Sequence, residues 1–348
     1  MKKVLYIDPV CHNAHANFNK MQLRALMKQS EVFCVLKQGY GSCLDLSNSI
    51  IVLKIPLDYY NYRANGLFTR LQYWRILIYI KQHIDFSLYD KVIYSYYEEI
   101  SFYFARMPKG AYLFNHVNLA GLSSFIKRWF YYQVSKSNTQ LVFNERMKDY
   151  LNSIGITTAQ IVAHGIPSKF KDSNISFFDE LKRDIMAYKK VLFMPSVTSA
   201  NQTFLRELLS SKEFNKYLKD KNYLMIIKGN YPCHNESNIL IIKQFISNDC
   251  YEYLLLKSNI IILAYHEKFI NRVSGVLFEC IGNEKNVVMS KVDGLLAYKD
   301  LFCWDPYFSD IESLIEKIDC YDFCDSIYRN DIDRKELEPN YESILGHS

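Results

Sequence analysis

Short apolar runs recur along the whole chain and alternate with segments of helical periodicity. Most runs are continuously apolar, as is typical of parallel strands covered on both faces. In the first half, the runs predict strands at 3–8, 31–36, 49–55, 91–97, 111–116, 139–144 and 159–165. In the second half, they predict strands at 190–196, 222–229, 238–245, 259–265 and 286–291. Segments 18–29 and 144–155 are among the helices predicted between them.

This repeated strand–helix order predicts an α/β fold built on doubly wound parallel sheets. The order pauses at 166–184, a polar stretch that contains Pro167 and is typical of a linker followed by a helix. We therefore predict two Rossmann-like domains that face each other across an interdomain cleft. Their expected bounds are 1–168 and 169–330, and we expect the tail 331–348 to pack back on the N-terminal domain.

Composition supports a cytoplasmic protein. The chain has 348 residues, 49% of them hydrophobic, which is enough for two cores. No apolar run approaches the roughly 18 residues that span a bilayer, and the opening MKKVLYIDPV lacks the features of a signal peptide. The nine cysteines are scattered singly, without a CxxC pair, which favours reduced thiols over disulfides or a zinc site.

Charge is distributed unevenly along the chain. Up to Lys169 there are 20 Lys and Arg against 10 Asp and Glu, and after it there are 22 against 27. The basic first half favours an anionic partner, either nucleic acid or the cytoplasmic face of a membrane. No helix-turn-helix, RRM or zinc signature is present, so nucleic acid is the weaker of the two interpretations.

Two segments of the first half, 59–84 and 125–136, combine aromatic and basic residues. They are either core helices with snorkelling cations or a membrane-interfacial surface that binds anionic lipid. The residues that would serve such a surface are Trp74, Arg75, Lys127, Arg128, Trp129, Tyr131 and Tyr132.

Candidate chemistry lies after three predicted strands. Ligands of open parallel sheets collect at the carboxyl ends of the strands, so these ends are expected to line the cleft. The loop after the first strand carries His12, Asn13 and His15. His116 ends the strand AYLFNH, and the segment YHEKFINRVSG follows the strand at 259–265. Each histidine is either a ligand-binding residue or an ordinary loop or core residue.

The third end leads into a helix with one unusual residue. Ser274 is a good N-cap, and Gly275 would begin the helix without a side chain. Glu279 lies among apolar residues, where a carboxylate needs a partner. That partner is either structural, such as a helix cap or a Lys, or a ligand with hydroxyl groups. A phosphate at the helix start, near Arg272, and hydroxyls at Glu279 together describe the pyrophosphate and ribose of a nucleotide.

These residues resemble a known family. The layout resembles the GT-B glycosyltransferases, and NRVSGVLFECIGNEKNVVMSKVDG is similar to the donor-site segment of glycosyltransferase family 4. In that family two glutamates separated by seven residues open the helix. Glu279 falls on the second, which holds the ribose hydroxyls, and Asn271 replaces the first, which contacts the donor sugar. His116 matches a histidine near the transferring sugar. The usual Arg and Lys after the first strand of the second domain are missing, and Arg272 or Lys228 would replace that charge.

The resemblance implies a glycosyltransferase of hexosyltransferase type that moves a sugar from a nucleotide-sugar donor to a glycan or lipid-linked acceptor in bacterial surface polysaccharide synthesis. It implies retention of anomeric configuration and no cofactor beyond the donor, and no carboxylate pair has metal-ligand spacing. The expected catalytic residues are His116, Asn271 and Arg272, and the expected donor-binding residues are Lys228, Ser274, Gly275 and Glu279. His12, Asn13 and His15 would form the acceptor-side loop. The alternatives are a non-catalytic binding or scaffold protein and a nucleotide-sugar epimerase.

Overall fold

A computed structural model shows two compact units, each built around one parallel sheet. The first unit comprises Met1–Gly165, Asn271–Val273 and Asp333–Ser348, and the second comprises Ile166–Ile270 and Ser274–Ile332. The structure describes residues 1–11, 15–44, 49–60, 66–171, 185–197, 202–229, 231, 238–244, 246–321, 327–329 and 334–346.

The sheet of the first unit has seven strands in the order β3-β2-β1-β4-β5-β6-β7, and all of its pairings are parallel. Its strands are β1 Lys2–Ile7, β2 Ser30–Lys37, β3 Ser49–Ile55, β4 Lys91–Tyr94, β5 Tyr112–Phe114, β6 Thr139–Val142 and β7 Ala159–Ile161. Its helices are α1 Ala16–Met27, α2 Gly66–His83, α3 Glu99–Ala105, α4 Phe125–Ser135 and α5 Glu145–Ser153.

The sheet of the second unit has six parallel strands in the order β10-β9-β8-β11-β12-β13. Its strands are β8 Lys190–Val197, β9 Tyr223–Gly229, β10 Ile239–Ile242, β11 Ile260–Leu263, β12 Asn286–Ser290 and β13 Tyr307–Phe308. Its helices are α6 Gln202–Ser210, α7 Lys212–Lys221, α8 Asn248–Lys257, α9 Gly275–Gly282, α10 Asp293–Leu296 and α11 Ile311–Cys320. The last helix of the chain, α12 Glu342–Leu345, belongs to the first unit.

The predicted α/β fold with two Rossmann-like units is confirmed by these two sheets. Each predicted strand is present, and the central ones are covered on both faces, as their continuous apolar runs require. In β1 the side chains Val4 to Ile7 have no exposed area, and in β11 all four residues are buried. The edge strand β3 instead alternates between half-buried and exposed residues before Ile55.

The C-terminal segment packs within the first unit. Tyr341 is fully buried, and its hydroxyl donates to Gln22 Oε1 on α1 at 2.6 Å. Lys2 Nζ donates to the carbonyl oxygen of Leu345. The first strand and the last helix are therefore held in the same unit.

Candidate functional site

The strand order of each sheet reverses at one point, where open α/β sheets bind their ligands. In the second unit this point lies between β8 and β11, because β8 pairs with both β9 and β11. The loop after β11 leaves the carboxyl edge of the sheet at Ala264 and ends at Ser274, where α9 begins. The segment singled out by the sequence therefore lies at the expected ligand-binding edge.

Hydrogen bonds fix this loop at both ends. The backbone N–H of Tyr265 donates to Ser290 Oγ at 2.8 Å, and the Tyr265 hydroxyl lies 2.8 Å from Ser274 Oγ. Ser274 Oγ also accepts from the backbone N–H of Leu277 at 3.2 Å, which confirms Ser274 as the N-cap of α9. Burial raises the pKa of Tyr265 to about 12, so its hydroxyl keeps its proton near neutral pH.

Gly275 leaves the start of α9 open to a ligand. The residue is exposed, and a β-carbon placed on it would meet no atom within 4 Å. The first N–H groups of a helix have no partner in the helix itself and carry partial positive charge. At the other end of α9, a β-carbon on Gly282 would lie 2.6 Å from the carbonyl oxygen of Pro167. The start of α9 is thus open at Gly275, whereas its other end is closely packed at Gly282.

The structure identifies a protein partner for Glu279. The Tyr251 hydroxyl on α8 donates to Glu279 Oε2 at 2.6 Å, and both residues are half-buried. Burial, together with the Glu279 carboxylate, raises the pKa of Tyr251 well above its usual range, so the hydroxyl remains a donor. The Tyr251 ring in turn lies 6.2 Å from the ring of Phe193 on β8. Tyr251 therefore helps to orient this half-buried carboxylate.

Gly275→Ala tests whether a ligand approaches the backbone at the start of α9. The new methyl group meets nothing in the free protein, so the melting temperature should stay within about 1–2 °C of the wild type. A nucleotide phosphate on the same N–H groups would collide with the methyl group and lose about tenfold in affinity, or about 1.4 kcal/mol. Titration calorimetry with a nucleoside diphosphate measures this loss. Equal affinity in the two proteins would place the phosphate elsewhere.

Asn271 and Arg272 precede α9 and group with the first unit. Asn271 is buried and has φ 50°, a left-handed backbone that Asn adopts more readily than most residues. Arg272 is half-buried, and its Nε is shielded from solvent without a hydrogen-bond partner among the described residues. Burial lowers the pKa of Arg272. An unsatisfied buried donor on a cation is costly, and an anionic ligand would remove that cost.

Lys228 lies near the end of β9, one strand from the reversal point. It is half-buried and pairs in register with Ile242 of β10. Its backbone position is thus at the same carboxyl edge as the loop after β11, because all strands of this sheet run parallel.

In the first unit, two of the predicted histidines come together at the corresponding edge of the sheet. The rings of His15, just before α1, and His116, just after β5, stack with centroids 4.7 Å apart. Phe18 packs edge-on to His116 at 4.5 Å, and Phe143 lies 5.2 Å away. His12 and Asn13, the other predicted residues of this loop, lie outside the described residues.

His116 is held as a neutral ring, and one of its nitrogens is buried without a partner among the described residues. Burial, with His15 and His164 nearby, lowers the pKa of His116 well below its usual range, and a hydrogen bond with the backbone of Ser95 only partly opposes this. Its Nε2 is shielded from solvent and has no hydrogen-bond partner in the described part of the chain. The hydrogen bond with the Ser95 backbone raises the pKa of the ring, so the backbone group accepts and the ring donates. Because Nε2 has no partner in that part of the chain, we assign this bond, and the proton of the neutral ring, to Nδ1. Nε2 is then left as an acceptor.

Three further residues that follow strands of the first sheet were not among the predicted site residues. His164 follows β7, and its ring lies 5.2 Å from Phe18. Tyr96 follows β4, 6.0 Å from the His15 ring. Glu99 begins α3, is almost completely buried and accepts from Asn118 Nδ2 at 3.1 Å, and burial raises the pKa of its carboxyl group. All three residues follow the carboxyl ends of parallel strands. The criterion that indicated the predicted site residues, a position just after a strand, therefore applies to these residues as well.

His164 predicts a specific dependence of stability on pH. Burial lowers the pKa of His164 to about 4, whereas an unfolded histidine titrates near 6.5. Between these values only the unfolded chain takes up the proton, so the free energy of unfolding should fall as the pH drops below about 6.5. From pH 7.5 to pH 5, the loss from this residue should be about 2 kcal/mol. In urea denaturation, the free energy of unfolding of His164→Asn should fall by about 2 kcal/mol less than that of the wild type over this pH range. His83→Asn, at an exposed position, serves as the control. If the free energy of unfolding changed equally with pH in both variants, the lowered pKa of His164 would be contradicted.

Two further observations concern metals and membranes. Among the described residues, no group of three His, Cys, Asp or Glu side chains is placed to hold a metal ion. No helix in the described ranges is long and apolar enough to cross a membrane.

Comparison with known proteins supports the fold but finds no relative in sequence. No protein-family model matches the chain, and no curated protein matches it. Among solved structures, HepE of Anabaena in complex with UDP-glucose is 12% identical, with 99% of this chain and 94% of that one covered and a TM-score of 0.60. WaaG, a glycosyltransferase involved in lipopolysaccharide biosynthesis, is 13% identical, with 96% and 90% covered and a TM-score of 0.53.

A third similar structure comes from Listeria monocytogenes and is described as a UDP-N-acetylglucosamine 2-epimerase. It is 12% identical, with 97% of this chain and 90% of that one covered and a TM-score of 0.60. At such low sequence identity these similarities show the fold alone. Both glycosyltransferases and an epimerase have this fold. The chain therefore has the two-unit Rossmann-like fold of the GT-B glycosyltransferases.

Proposed function

We propose that the chain is a glycosyltransferase that uses a nucleotide-sugar donor. The observation that carries this proposal is the arrangement at α9. An open, capped helix N-terminus lies one turn before a carboxylate that Tyr251 orients, at the reversal point of a parallel sheet. Such an arrangement suits a nucleoside diphosphate, with phosphate at the helix start and ribose hydroxyls at Glu279. The family 4 pattern around Glu279 supports the same assignment, as does the UDP-glucose bound by HepE.

In this proposal Lys228 and the residues at and just before α9 bind the donor. Gly275 lets the diphosphate approach the backbone N–H groups, and Ser274 keeps the first turn in place. Glu279 accepts hydrogen bonds from the ribose. Lys228 and Arg272 supply positive charge in place of the missing Arg and Lys. Asn271 stands where the family has a glutamate that contacts the donor sugar. As the bond to the sugar breaks, negative charge grows on the departing diphosphate, and the helix start and Arg272 stabilise it.

We assign the acceptor to the first unit, with a glycan or a lipid-linked saccharide as its class. His116 accepts a hydrogen bond from a sugar hydroxyl through Nε2, and His15 packs against it. The loop that carries His12 and Asn13 joins this surface. Catalysis is then mainly positioning and electrostatic stabilisation, with retention of configuration as the family resemblance implies. We propose no metal ion, because the sequence has no carboxylate pair with metal-ligand spacing. Work in surface polysaccharide synthesis at the cytoplasmic face of a membrane agrees with this acceptor class, and WaaG acts in lipopolysaccharide biosynthesis.

The two alternatives make different products. A transferase releases a nucleoside diphosphate and forms a new glycosidic bond only when an acceptor is present. An epimerase inverts one carbon of the sugar without an acceptor, and the Listeria structure is the observation in its favour. A scaffold protein binds the nucleotide sugar without changing it.

Proton NMR of UDP-sugars incubated with the protein and bacterial lipid extracts distinguishes these cases. We expect acceptor-dependent loss of the anomeric donor signal together with release of UDP. Inversion of a sugar carbon without acceptor would assign the protein as an epimerase. An unchanged donor that still binds would assign it as a scaffold.

A further inference from the structure

Helices α3 and α4 of the first unit expose an unusual number of large apolar side chains. Phe125 is 81% exposed, Ile126 63% and Trp129 42%. Phe104 on α3 is 58% exposed, and Tyr103 and Tyr132 are each about two-fifths exposed. These six residues are called the aromatic face below. Contiguous exposed apolar surface of this kind marks an interaction site.

The aromatic face is one continuous surface rather than a set of separate residues. The Tyr103 ring lies 5.6 Å from Trp129 and 5.3 Å from Phe130, which joins α3 to α4. Phe125, Trp129 and Tyr132 also line a cavity of about 260 Å³ together with Arg128, Ile154 and Ile156. The neighbouring helix α2 packs against α3 through Arg70, whose Nε lies 3.1 Å from Glu98 Oε1. It exposes a further apolar set, namely Leu67, Phe68, Leu71 and Trp74.

Apart from Glu98, which is half-buried and paired with Arg70 at the start of α3, the charges on α2, α3 and α4 that reach solvent have one sign. Across 66–83 and 99–137 the only acidic residue is Glu99, which is buried beside Lys127 with 3.9 Å between Nζ and Oε1. The exposed charged residues of the same ranges are all basic, namely Lys81, Arg106, Lys109, Arg128 and Lys136. Tyr131, expected from the sequence to lie at an interface, is instead fully buried and bonded to Asn115.

We propose that the aromatic face docks on an anionic lipid bilayer. Phe125, Ile126 and Trp129 would enter the boundary between headgroups and acyl chains, and Arg128, Lys136 and Arg106 would contact lipid phosphates. Aromatic residues at headgroup level beside basic residues are typical of helices that lie in the membrane surface. The absence of acidic residues from the exposed part of 66–83 and 99–137 favours an anionic surface over a protein partner of mixed charge. This inference extends the proposed lipid-linked acceptor, but its test needs neither donor nor acceptor.

Co-flotation with vesicles tests the charge requirement. The full chain should float with vesicles of phosphatidylcholine that contain roughly 30% phosphatidylglycerol. It should bind pure phosphatidylcholine much less and should dissociate from the anionic vesicles at high salt. Each basic residue at an anionic surface contributes about a fivefold factor, so Arg128→Glu/Lys136→Glu should bind at least roughly thirtyfold more weakly. Lys212→Glu/Lys216→Glu makes the same change of charge at two exposed positions of α7 and should bind normally.

Insertion of the apolar side chains is tested separately. Phe125→Ser/Ile126→Ser should weaken binding to anionic vesicles at least roughly tenfold, because two exposed large side chains no longer enter the bilayer. Leu88→Ser/Met186→Ser removes equally exposed side chains elsewhere and is the control. The chain has three tryptophans, so Trp74→Phe/Trp304→Phe leaves Trp129 as the single reporter.

Brominated acyl chains should quench the fluorescence of Trp129 in that variant. Binding to anionic vesicles without quenching would overturn insertion and leave electrostatic adsorption only. Equal binding to neutral and anionic vesicles, or no binding to either, would overturn the docking itself. Sedimentation velocity that shows a dimer abolished by Phe125→Ser/Ile126→Ser would assign the aromatic face to a second copy of the chain. None of these outcomes depends on glycosyl transfer, so this inference and the proposed function can fail independently.

Discussion

Glu279→Gln is expected to weaken the binding of a nucleoside diphosphate by about 1–3 kcal/mol, or roughly 5- to 150-fold in Kd. The substitution keeps the size of the side chain but removes the negative charge that strengthens hydrogen bonds from ribose hydroxyls. The fold should be little affected, because the Tyr251 hydroxyl can still donate to the amide oxygen of Gln. Titration calorimetry with UDP, beside a thermal melt of each protein, gives both quantities.

Tyr251→Phe gives a second, smaller step in the same series. Without the hydrogen bond of 2.6 Å to Oε2, the Glu279 carboxylate loses a bond that helps to orient it, and affinity should fall about fivefold, or about 1 kcal/mol. Tyr217→Phe is a matched control, since the Tyr217 hydroxyl donates to Asp319 Oδ1 at 2.8 Å between α7 and α11. Both tyrosine variants lose a bond to a carboxylate, but only Tyr251→Phe should lose affinity. UDP affinity unchanged by Glu279→Gln in a folded protein would remove Glu279 from the site.

His116→Ala is expected to lower kcat by roughly a hundredfold while donor affinity changes less than about twofold. The reason is that Nε2 is the one ring nitrogen left to accept a bond from a sugar hydroxyl, whereas the donor nucleotide is assigned to the second unit. His116→Gln should recover part of the rate, because its amide oxygen reaches a position near that of Nε2. Initial rates at saturating donor, together with UDP titrations, separate the two effects.

Loss of packing is the competing explanation for an effect at His116. The ring lies 4.5 Å from Phe18, and its removal leaves space in the first unit. The melting temperature of His116→Ala will therefore fall, but a purely structural role predicts that His116→Gln and His116→Ala lose activity in proportion to stability. Rescue of kcat by Gln without rescue of the melting temperature supports the hydrogen-bond role. His83→Ala, at an exposed position of α2, should match the wild type in both.

The strand pattern predicted the fold well because burial on both faces leaves a strong sequence signal. The predicted strand at 3–8 is observed at Lys2–Ile7, and the predicted strand at 190–196 at Lys190–Val197. Strand ends were less accurate. The run KVIYSYY predicted a strand to 97, but β4 ends at Tyr94. The apolar character continues there because Tyr97 turns into the core, where its hydroxyl donates to Gln140 Oε1. Strand β13, with only two residues, was not predicted because it is too short for any periodicity.

The candidate site was predictable where it depends on local sequence. The cap at Ser274 is set within three residues, and the open approach at Gly275 follows from the missing side chain. The hydrogen bond from Tyr251 to Glu279 was not predictable. The two residues are 28 positions apart in the sequence and meet only after α8 and α9 pack. The exposed faces of α3 and α4 were equally hidden, since a mixed aromatic and basic helix fits both a core and a surface. The structure resolves that ambiguity residue by residue, with Tyr131 inside and Trp129 outside.

The central claim, a nucleotide site at the start of α9, is tested most directly by hydrogen–deuterium exchange with and without UDP. Saturating UDP is expected to slow exchange of the backbone amides at 275–279, because phosphate binds the first N–H groups of the helix and ribose holds Glu279. Peptides that cover Tyr251 should be protected as well, and those that cover α7 and α11 should not change. Bound UDP that protects other segments and leaves 275–279 unchanged would contradict the account, as would the absence of UDP binding.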